Sequence, residues 1–208
     1  MYAPPPFREE DLPRLHATMV QVRLANLVTA TAQGLVATPL PLLLVADEGP
    51  LGTLYGHLAR PNPQWRLPPQ GEAMALFSGP DAYVSPSFYP SKQADPRVVP
   101  TWNYVAVHAY GTPEFFDEKD RLLDLLGALT DTHEAGRAER WAVADAPRDY
   151  VEGMLRGIVG LRLPITRIEG KRKLSQNRSE ADRAGVAAAL AASEVPGDQA
   201  LAREMAQD

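Results

Sequence analysis

Hydrophobic and polar residues follow two periods along this chain, one typical of helices and one typical of strands. Between residues 9 and 25, Leu15 and Met19 share one helical face, and Asp11 can cap the helix that this spacing predicts. From residue 26 to residue 110 the apolar residues alternate with polar ones or form short runs, which indicates β-strands. Six strands are predicted there, over residues 27–32, 35–45, 53–60, 73–78, 82–85 and 99–110.

The second half of the chain returns to helical spacing. Helices are predicted over residues 117–133, 147–158 and 180–192, and one further strand over residues 159–168. The last residues, from about 196 to 208, are expected to fray. No repeat is visible and no linker interrupts the chain, so the pattern favours a single domain over residues 1–208. A strand-rich centre flanked by helices is an α+β fold, most naturally a β-barrel.

The composition is that of a folded globular chain, because 45% of its 208 residues are apolar and 23% are charged. The 20 prolines favour many short strands over a few long helices. No run approaches the roughly 20 apolar residues that cross a bilayer, and the start of the chain lacks the pattern of a signal peptide. The absence of cysteine excludes disulfides, thiolate catalysis and cysteine metal sites. These features predict a cytoplasmic protein without membrane attachment.

The net charge of −5 at pH 7 bears on nucleic-acid binding. Proteins that grip a phosphate backbone usually carry an excess of Lys and Arg, because that grip is largely electrostatic. A nucleic-acid role would therefore need a local basic patch or a partner protein.

The densest polar cluster lies at residues 56–65, where a predicted strand ends. His57, Arg60 and Asn62 could supply a switchable donor, a fixed cation and an amide to a phosphate and its ester oxygens. The alternative is a strand edge with solvated polar residues. Strict alternation places His57 and Arg60 on opposite faces, so both reach one ligand only if the strand bends near Pro61.

A second segment, residues 83–104, sets aromatic residues beside hydroxyl groups and Lys92. Such a segment could form a stacking wall with an anion clamp, as a flavin ring and its phosphate require. The alternative is a proline-rich loop packed under aromatic residues. His108, further along, is more typical of a core or interface histidine than of a catalyst.

The most basic run of this acidic chain lies at residues 170–178. It is predicted to sit at a strand-to-helix junction, where backbone N–H groups and the helix dipole favour anions. A ligand phosphate, a nucleic-acid phosphate and a solvated turn all remain open as explanations.

Several common sites are absent from the sequence. There is no G-x-G-x-x-G after a strand, no P-loop, no G-x-S-x-G and no H-E-x-x-H, and the four histidines show no metal-ligand spacing. The helices predicted between residues 117 and 158 lack the short turn of a helix-turn-helix. No metal is therefore expected, and no catalytic residue can be assigned.

These segments, in this order, resemble the PaiB-like family of FMN-binding negative transcriptional regulators. The resemblance covers nearly the whole chain and is carried by residues 1–7, 57–65, 83–92, 99–111 and 170–177. One difference is Arg172, which stands where the family pattern has an aromatic residue, often Trp, so a stacking role at this position is in doubt.

The resemblance implies an FMN-binding split β-barrel with flanking helices, related to pyridoxamine-phosphate oxidases, and a homodimer that holds FMN at its interface. It places the flavin ring near Thr38, Pro39 and Leu40. It places the phosphate and ribityl chain near His57, Arg60 and Asn62. Further candidates for the cofactor site are Lys92, Trp102, Ser175, Gln176 and Asn177. Direct DNA contact would come from Lys171, Arg172, Lys173 and Arg178.

Three functions follow from this resemblance. The first is a negative transcriptional regulator whose FMN, or its redox state, alters the dimer. The second is an FMN-dependent oxidoreductase of a small molecule, with a nicotinamide electron donor. The third is a barrel that has lost flavin and serves in interaction or haem binding.

Overall fold

The structure is a computed structural model that describes residues 1–207. The chain divides into two compact units. Unit 1 comprises Met1–Thr18, Ser78–Val107 and Glu169–Asp208, and unit 2 comprises Met19–Phe77 and His108–Ile168.

Ten strands and five α-helices are present within residues 1–207, which confirms the α+β prediction. The strands are β1 Arg8–Glu9, β2 Leu24–Thr31, β3 Gly34–Pro41, β4 Leu43–Val45, β5 Thr53–Ala59, β6 Ala73–Val84, β7 Thr101–Gly111, β8 Glu114–Phe116, β9 Ile158–Pro164 and β10 Arg167–Lys173. The helices are α1 Leu12–Gln21, α2 Lys119–Glu134, α3 Arg148–Leu155, α4 Glu180–Ala191 and α5 Pro196–Ala206. No helix among these residues is both long enough and apolar enough to cross a membrane.

Unit 2 is built on two antiparallel arrangements of strands. The hairpin β2–β3 pairs with the first half of β6, and β4, β5, β9 and β8 form a four-stranded sheet in that order. Helices α2 and α3 pack on one face of that sheet through Phe116, Leu125 and Leu155. Gly160 is required in β9 because the ring of Phe116 occupies the place of a side chain there: an added Cβ would lie 2.3 Å from that ring.

Unit 1 has the strand order β1, β10, β7, β6. Its core lies between this sheet and the helices α4 and α5, and includes the fully buried Val84, Leu174 and Leu201. Gly185 lets α4 pack closely against the backbone at Phe88, since a Cβ at that position would lie 2.3 Å from the carbonyl oxygen of Phe88.

The structure corrects two expectations about the end of the chain. Residues 159–168 are not one strand: β9 ends at Pro164, and Thr166, whose N–H donates to the carbonyl of Tyr110 (2.9 Å), begins the turn into β10. The basic run at residues 170–178 spans the end of β10 and the turn that leads into α4 at Glu180, so its predicted place at a strand-to-helix junction is confirmed. Residues 196–206 are not frayed, because they form α5, which buries Leu201 and Met205 in the core of unit 1.

Candidate functional site

Aromatic side chains line one face of the sheet in unit 1. Along β7, Asn103 and Val105 are buried, and the alternate residues Trp102 and Tyr104 point to the opposite face. Trp102 is 54% exposed and contacts Tyr83 of β6, itself 48% exposed, edge to face with the ring centroids 6.0 Å apart. Half-exposed rings of this kind can stack on a flat ligand.

Two lysines of β10 share that face. The ammonium of Lys171 lies 5.0 Å from the ring centroid of Tyr104 and 5.7 Å from that of Tyr2, and it donates a hydrogen bond to the Tyr2 carbonyl at 3.1 Å. Lys173 Nζ donates to the Thr101 hydroxyl and, at 2.7 Å, to the Trp102 carbonyl. We call this surface the aromatic–lysine face: it consists of Tyr2, Tyr83, Trp102, Tyr104, Lys171 and Lys173.

The aromatic–lysine face carries positive charge without a matching carboxylate. Burial, together with repulsion from Lys171 and Arg178, lowers the pKa of Lys173 below its ordinary value. Within residues 1–207, no carboxylate oxygen lies within 4.0 Å of these three cations. A bound anion would offset the repulsion, so the charge of this face favours an anionic ligand.

Arg172 lies between the two lysines in sequence but on the other face of the strand. It is buried, and its Nη2 forms an ion pair with Glu204 of α5 at 2.9 Å. Its Nε lies 4.0 Å from the carboxylate of Glu9 in β1. The arginine that stands in place of an aromatic residue therefore ties α5 and β1 to β10.

The turn after Lys173 is shaped by the predicted residues Ser175 and Gln176. Ser175 is buried at φ 66°, in the left-handed region, and its hydroxyl accepts a hydrogen bond from Asn103 Nδ2 at 2.9 Å. The Gln176 amide accepts from the Leu174 N–H (2.7 Å) and donates to the Arg172 carbonyl (2.8 Å). Asn177 is exposed. Asn103, which the sequence analysis missed, supports this turn from below the face.

Lys92 lies elsewhere in unit 1. It is exposed and borders a pocket of about 540 Å³ together with Phe88 and Tyr89. The guanidinium of Arg178 lies 4.6 Å from the ring centroid of Tyr89. Lys92 therefore borders a concave surface of unit 1 that is separate from the aromatic–lysine face.

In unit 2, the predicted residues Thr38 and Asn62 join a hydrogen-bond network around Gln64. Asn62 Nδ2 donates to the Thr38 hydroxyl at 2.9 Å, and that hydroxyl donates to Gln64 Oε1 at 2.5 Å. Gln64 is fully buried, and its amide nitrogen donates to the carbonyl of Leu27 (3.0 Å) and the hydroxyl of Thr29 (3.1 Å). The network holds the segment after β5 on the β2–β3 hairpin, and Gln64 had not been singled out from the sequence.

Arg60 follows β5 and uses three of its five N–H groups within unit 2. Its Nε donates to the Arg156 carbonyl at 2.8 Å, its Nη2 to the Ile158 carbonyl at 3.0 Å, and its Nη1 to the Asp117 carboxylate at 3.2 Å. These bonds anchor the junction of α3 and β9. Two N–H groups remain available to another acceptor.

His57 lies on β5 opposite Gly160, on the side of the sheet that α2 and α3 cover. Its Nδ1 is buried and has no hydrogen-bond partner in residues 1–207, and burial lowers its pKa, which favours the neutral imidazole. Leu40 packs on the opposite side of β5, since a Cβ on Gly56 would lie 3.2 Å from it. Pro39 is exposed on β3.

The predicted cofactor residues thus fall into two sets. Six of them lie in unit 2, where Thr38 and Asn62 are in direct contact: Thr38, Pro39, Leu40, His57, Arg60 and Asn62. The other five lie in unit 1: Lys92, Trp102, Ser175, Gln176 and Asn177.

Comparison with known proteins shows where this chain belongs. Residues 1–167 match the family model described as "Putative FMN-binding domain". The chain is also 34% identical over 207 residues to the protease synthase and sporulation protein PAI 2 of Bacillus subtilis, and the match covers 99% of this chain and 96% of that protein. The chain belongs to the PaiB-like family of FMN-binding proteins. The family predicted from the sequence is therefore confirmed, and FMN is the cofactor of this family.

One further relative and two solved structures are similar to this chain. Protein AN0679 of Emericella nidulans is 35% identical over 179 residues, which cover 71% of each chain. Among solved structures, the flavocytochrome Anf3 from Azotobacter vinelandii has a TM-score of 0.61 at 16% identity and covers 86% of this chain and 75% of its own. The FAD and heme binding protein from Mycobacterium smegmatis has a TM-score of 0.59 at 21% identity and covers 85% and 78%. At such identities these structures show the fold, and the predicted split barrel with flanking helices is confirmed.

Proposed function

We propose that this protein is a flavin-dependent negative regulator of the PaiB type, and that the aromatic–lysine face of unit 1 holds its FMN. The observation that carries the proposal is the pair Lys171 and Lys173, which lie beside half-exposed rings and have no carboxylate partner within residues 1–207. FMN consists of a planar aromatic ring system joined to a phosphate, and the donor set of this face suits both parts.

The lysines and the half-exposed rings of the face have distinct tasks in this proposal. Lys171 and Lys173 receive the phosphate, while Trp102 and Tyr83 contact the ring system. Because Lys171 is held by Tyr2 and Lys173 by the Trp102 carbonyl, little side-chain freedom is lost on binding. Bound FMN would supply reversible electron or hydride transfer.

The other predicted residues of unit 1 have supporting roles in this proposal. Ser175, Gln176 and Asn177 fix the turn that follows Lys173. Lys92 is an exposed cation available to an anion. Flavin contact by the unit 2 set is a separate proposal that rests on the family resemblance. The spare N–H groups of Arg60 and Asn62 are compatible with it. The set consists of Thr38, Pro39, Leu40, His57, Arg60 and Asn62.

We further propose a cytoplasmic homodimer with the flavin at its interface. Trp102 and Tyr83 leave about half of their surfaces open, and a second copy would shield these rings together with the cofactor. Sedimentation equilibrium of the flavin-loaded protein tests this point, and a monomer at micromolar concentration would contradict it.

Regulation by direct DNA contact has a narrow physical basis here. Of the four proposed cations, Arg172 forms an ion pair with Glu204, and Lys171 is 92% buried. Lys173 and Arg178 are therefore the more accessible pair. We therefore propose that flavin state acts mainly on the dimer or on a protein partner. A gel shift on promoter DNA at about 50 mM salt tests direct contact, because low salt favours phosphate contacts. Stopped-flow mixing of the flavoprotein with NADH or NADPH tests the oxidoreductase alternative.

The experiment for the flavin site is a fluorescence titration of apoprotein with FMN. Trp102→Ala should weaken binding by about 5- to 100-fold, the range that stacking of one aromatic ring on a base confers. The matched control is Trp141→Ala, since Trp141 is similarly exposed but lies in unit 2. Unchanged FMN affinity in Trp102→Ala would remove this face from the flavin site, and a colourless protein that takes up no FMN would contradict the proposed function itself.

A further inference from the structure

A second concave site lies entirely in unit 2. A cavity of about 310 Å³ opens between the edge of the four-stranded sheet and α2. Leu43, Phe116 and Leu125 contribute apolar walls, while Glu48 and Tyr55 form a polar end. Its size and its few convergent polar groups are typical of pockets that bind small molecules.

The polar end of the cavity is held rigidly. The Tyr55 hydroxyl donates to Glu48 at 2.9 Å, and Arg162 donates to Glu48 at 2.6 Å and to Glu114 at 2.8 Å. Although burial acts to raise the pKa of Glu48, the hydrogen bonds from Arg162 and Tyr55 bring it below its ordinary value. Glu48 is therefore an ionised acceptor at neutral pH whose orientation is fixed before any ligand arrives.

The mouth of the cavity is negative. Arg162 is shared by two carboxylates, and Arg121 is directed to the ring of Phe116 (4.0 Å) and to Glu118 (3.4 Å). Asp124 lines the cavity, and no cationic group of residues 1–207 lies within 4.0 Å of it. Among the residues that line the cavity, the carboxylates Glu48 and Asp124 face one guanidinium group, that of Arg121, an excess of one negative charge.

We propose that this cavity binds a small amphipathic amine, with its apolar body between β4, Phe116 and α2 and its ammonium between Asp124 and Glu48. The apolar walls select the body. Asp124, which has no cationic partner within 4.0 Å in residues 1–207, acts with the ionised Glu48 to select a cationic head over a neutral or anionic one. This site goes beyond the proposed flavin function, because every residue that lines it belongs to unit 2 and none to the aromatic–lysine face.

The test uses three probes that share a phenyl group and differ in charge: 2-phenylethylamine, 2-phenylethanol and 3-phenylpropionate. Binding to the purified full-length protein is measured by ligand-observed NMR and by calorimetry. The amine should bind saturably and at least about 10-fold more tightly than the carboxylate, since like-charge juxtaposition opposes the latter. Equal binding of all three probes, or no saturable binding of the amine up to about 10 mM, the weak end of specific affinities, would overturn the proposal.

Two variants locate the site. Asp124→Asn should weaken amine binding by about 3- to 10-fold and leave the alcohol unaffected, as expected for loss of one partly exposed charge contact. Ala128→Phe, at an exposed position on the cavity wall, should fill the cavity and abolish binding of both. Asp131→Asn, two turns further along α2 and outside the wall, is the matched control.

Thermal melts establish that the three variants are folded, and FMN titration should give the affinity of the original protein in each. Retention of amine binding in Ala128→Phe would overturn the placement. Because FMN affinity is read separately, failure of the amine site and failure of the flavin proposal are distinguishable.

Discussion

The aromatic–lysine face of unit 1 and the cavity of unit 2 combine the same ingredients with opposite outcomes. Both set aromatic rings beside charged groups. In unit 1 the cations Lys171 and Lys173 repel each other, and this repulsion adds to burial in lowering the pKa of Lys173. In unit 2 Arg162 is neutralised by two carboxylates, and the remaining charge is negative. The sign of the charge that each unit leaves without an internal partner indicates the sign of the ligand that it suits.

The residue between the two lysines makes the same point within one strand. Arg172 is as buried as Lys171, yet its guanidinium is paired with Glu204. Arg172 therefore supports the fold, whereas its neighbours Lys171 and Lys173 have no carboxylate within 4.0 Å in residues 1–207.

Arg172→Ala should lower the free energy of unfolding by about 3–5 kcal/mol, because it leaves the buried carboxylate of Glu204 without its ion-pair partner. Chemical denaturation monitored by circular dichroism measures this loss. Arg97→Ala, at an exposed position in the same unit, should change stability by less than about 0.5 kcal/mol. Equal stability of the two variants would show that the Arg172–Glu204 pair does not hold α5 in place.

Gly160→Ala should cost about 1–3 kcal/mol, since the new methyl group would have to displace the ring of Phe116. The same displacement would move the floor of the unit 2 cavity and weaken amine binding. Gly127→Ala is the control: no heavy atom lies within 4 Å of its added Cβ, and alanine in α2 should stabilise by about 0.5–1 kcal/mol. A stable Gly160→Ala protein would contradict the packing described for this sheet face.

Acid should loosen unit 1 through Asp182. This buried carboxylate accepts hydrogen bonds from the N–H of Ser91 (3.0 Å) and its hydroxyl (2.8 Å), and these bonds lower its pKa. Its contribution to stability is therefore present above the unfolded-state pKa of about 3.9 and is lost as pH falls through the lower folded-state value. Denaturation midpoints between about pH 2 and 5 should show a shallower pH dependence in Asp182→Asn. The same slope in both proteins would remove Asp182 as the cause.

Lys173 should give the smallest effect, and it should appear at alkaline instead of acid pH. Because its pKa is lowered in the folded protein, the unfolded chain binds more protons in the window between that value and about 10.4. Stability of the apoprotein should rise with pH across this window, and Lys173→Met should remove the rise. Denaturation at several pH values between about 8 and 10.5 measures it.

Elements whose apolar residues repeat with a regular period could be predicted from the sequence. Elements that are held by pairing between polar side chains could not. Helix α2 and strand β7 carry clear apolar repeats, and the motif around Trp102 marked the candidate face. The start of β10 was wrongly joined to the preceding strand, because Arg167–Lys173 is mostly charged. Only the pairing of Arg172 with Glu204 explains how Arg172 can be buried in this strand. Gln64 was missed for the same reason, since an isolated buried amide has no pattern in sequence.

Helix α5 shows the opposite error. Leu201 and Met205 are four residues apart, a helical spacing, but their position near the end of the chain favoured the expectation of fraying. Their burial under α4 and the sheet of unit 1 decides the outcome, and that contact depends on residues far away in sequence.

The central claim, that Lys171 and Lys173 hold a flavin phosphate, is tested most directly by a cycle of two ligands and two proteins. FMN and riboflavin differ only in the phosphate, so their affinities are measured for the original protein and for Lys171→Ala with Lys173→Ala. The original protein should prefer FMN by about 100-fold or more, and the double variant should lose most of that preference with riboflavin affinity unchanged. Lys119→Ala, which breaks an exposed pair with Glu152, should preserve it. An undiminished preference for FMN in the double variant would contradict the claim.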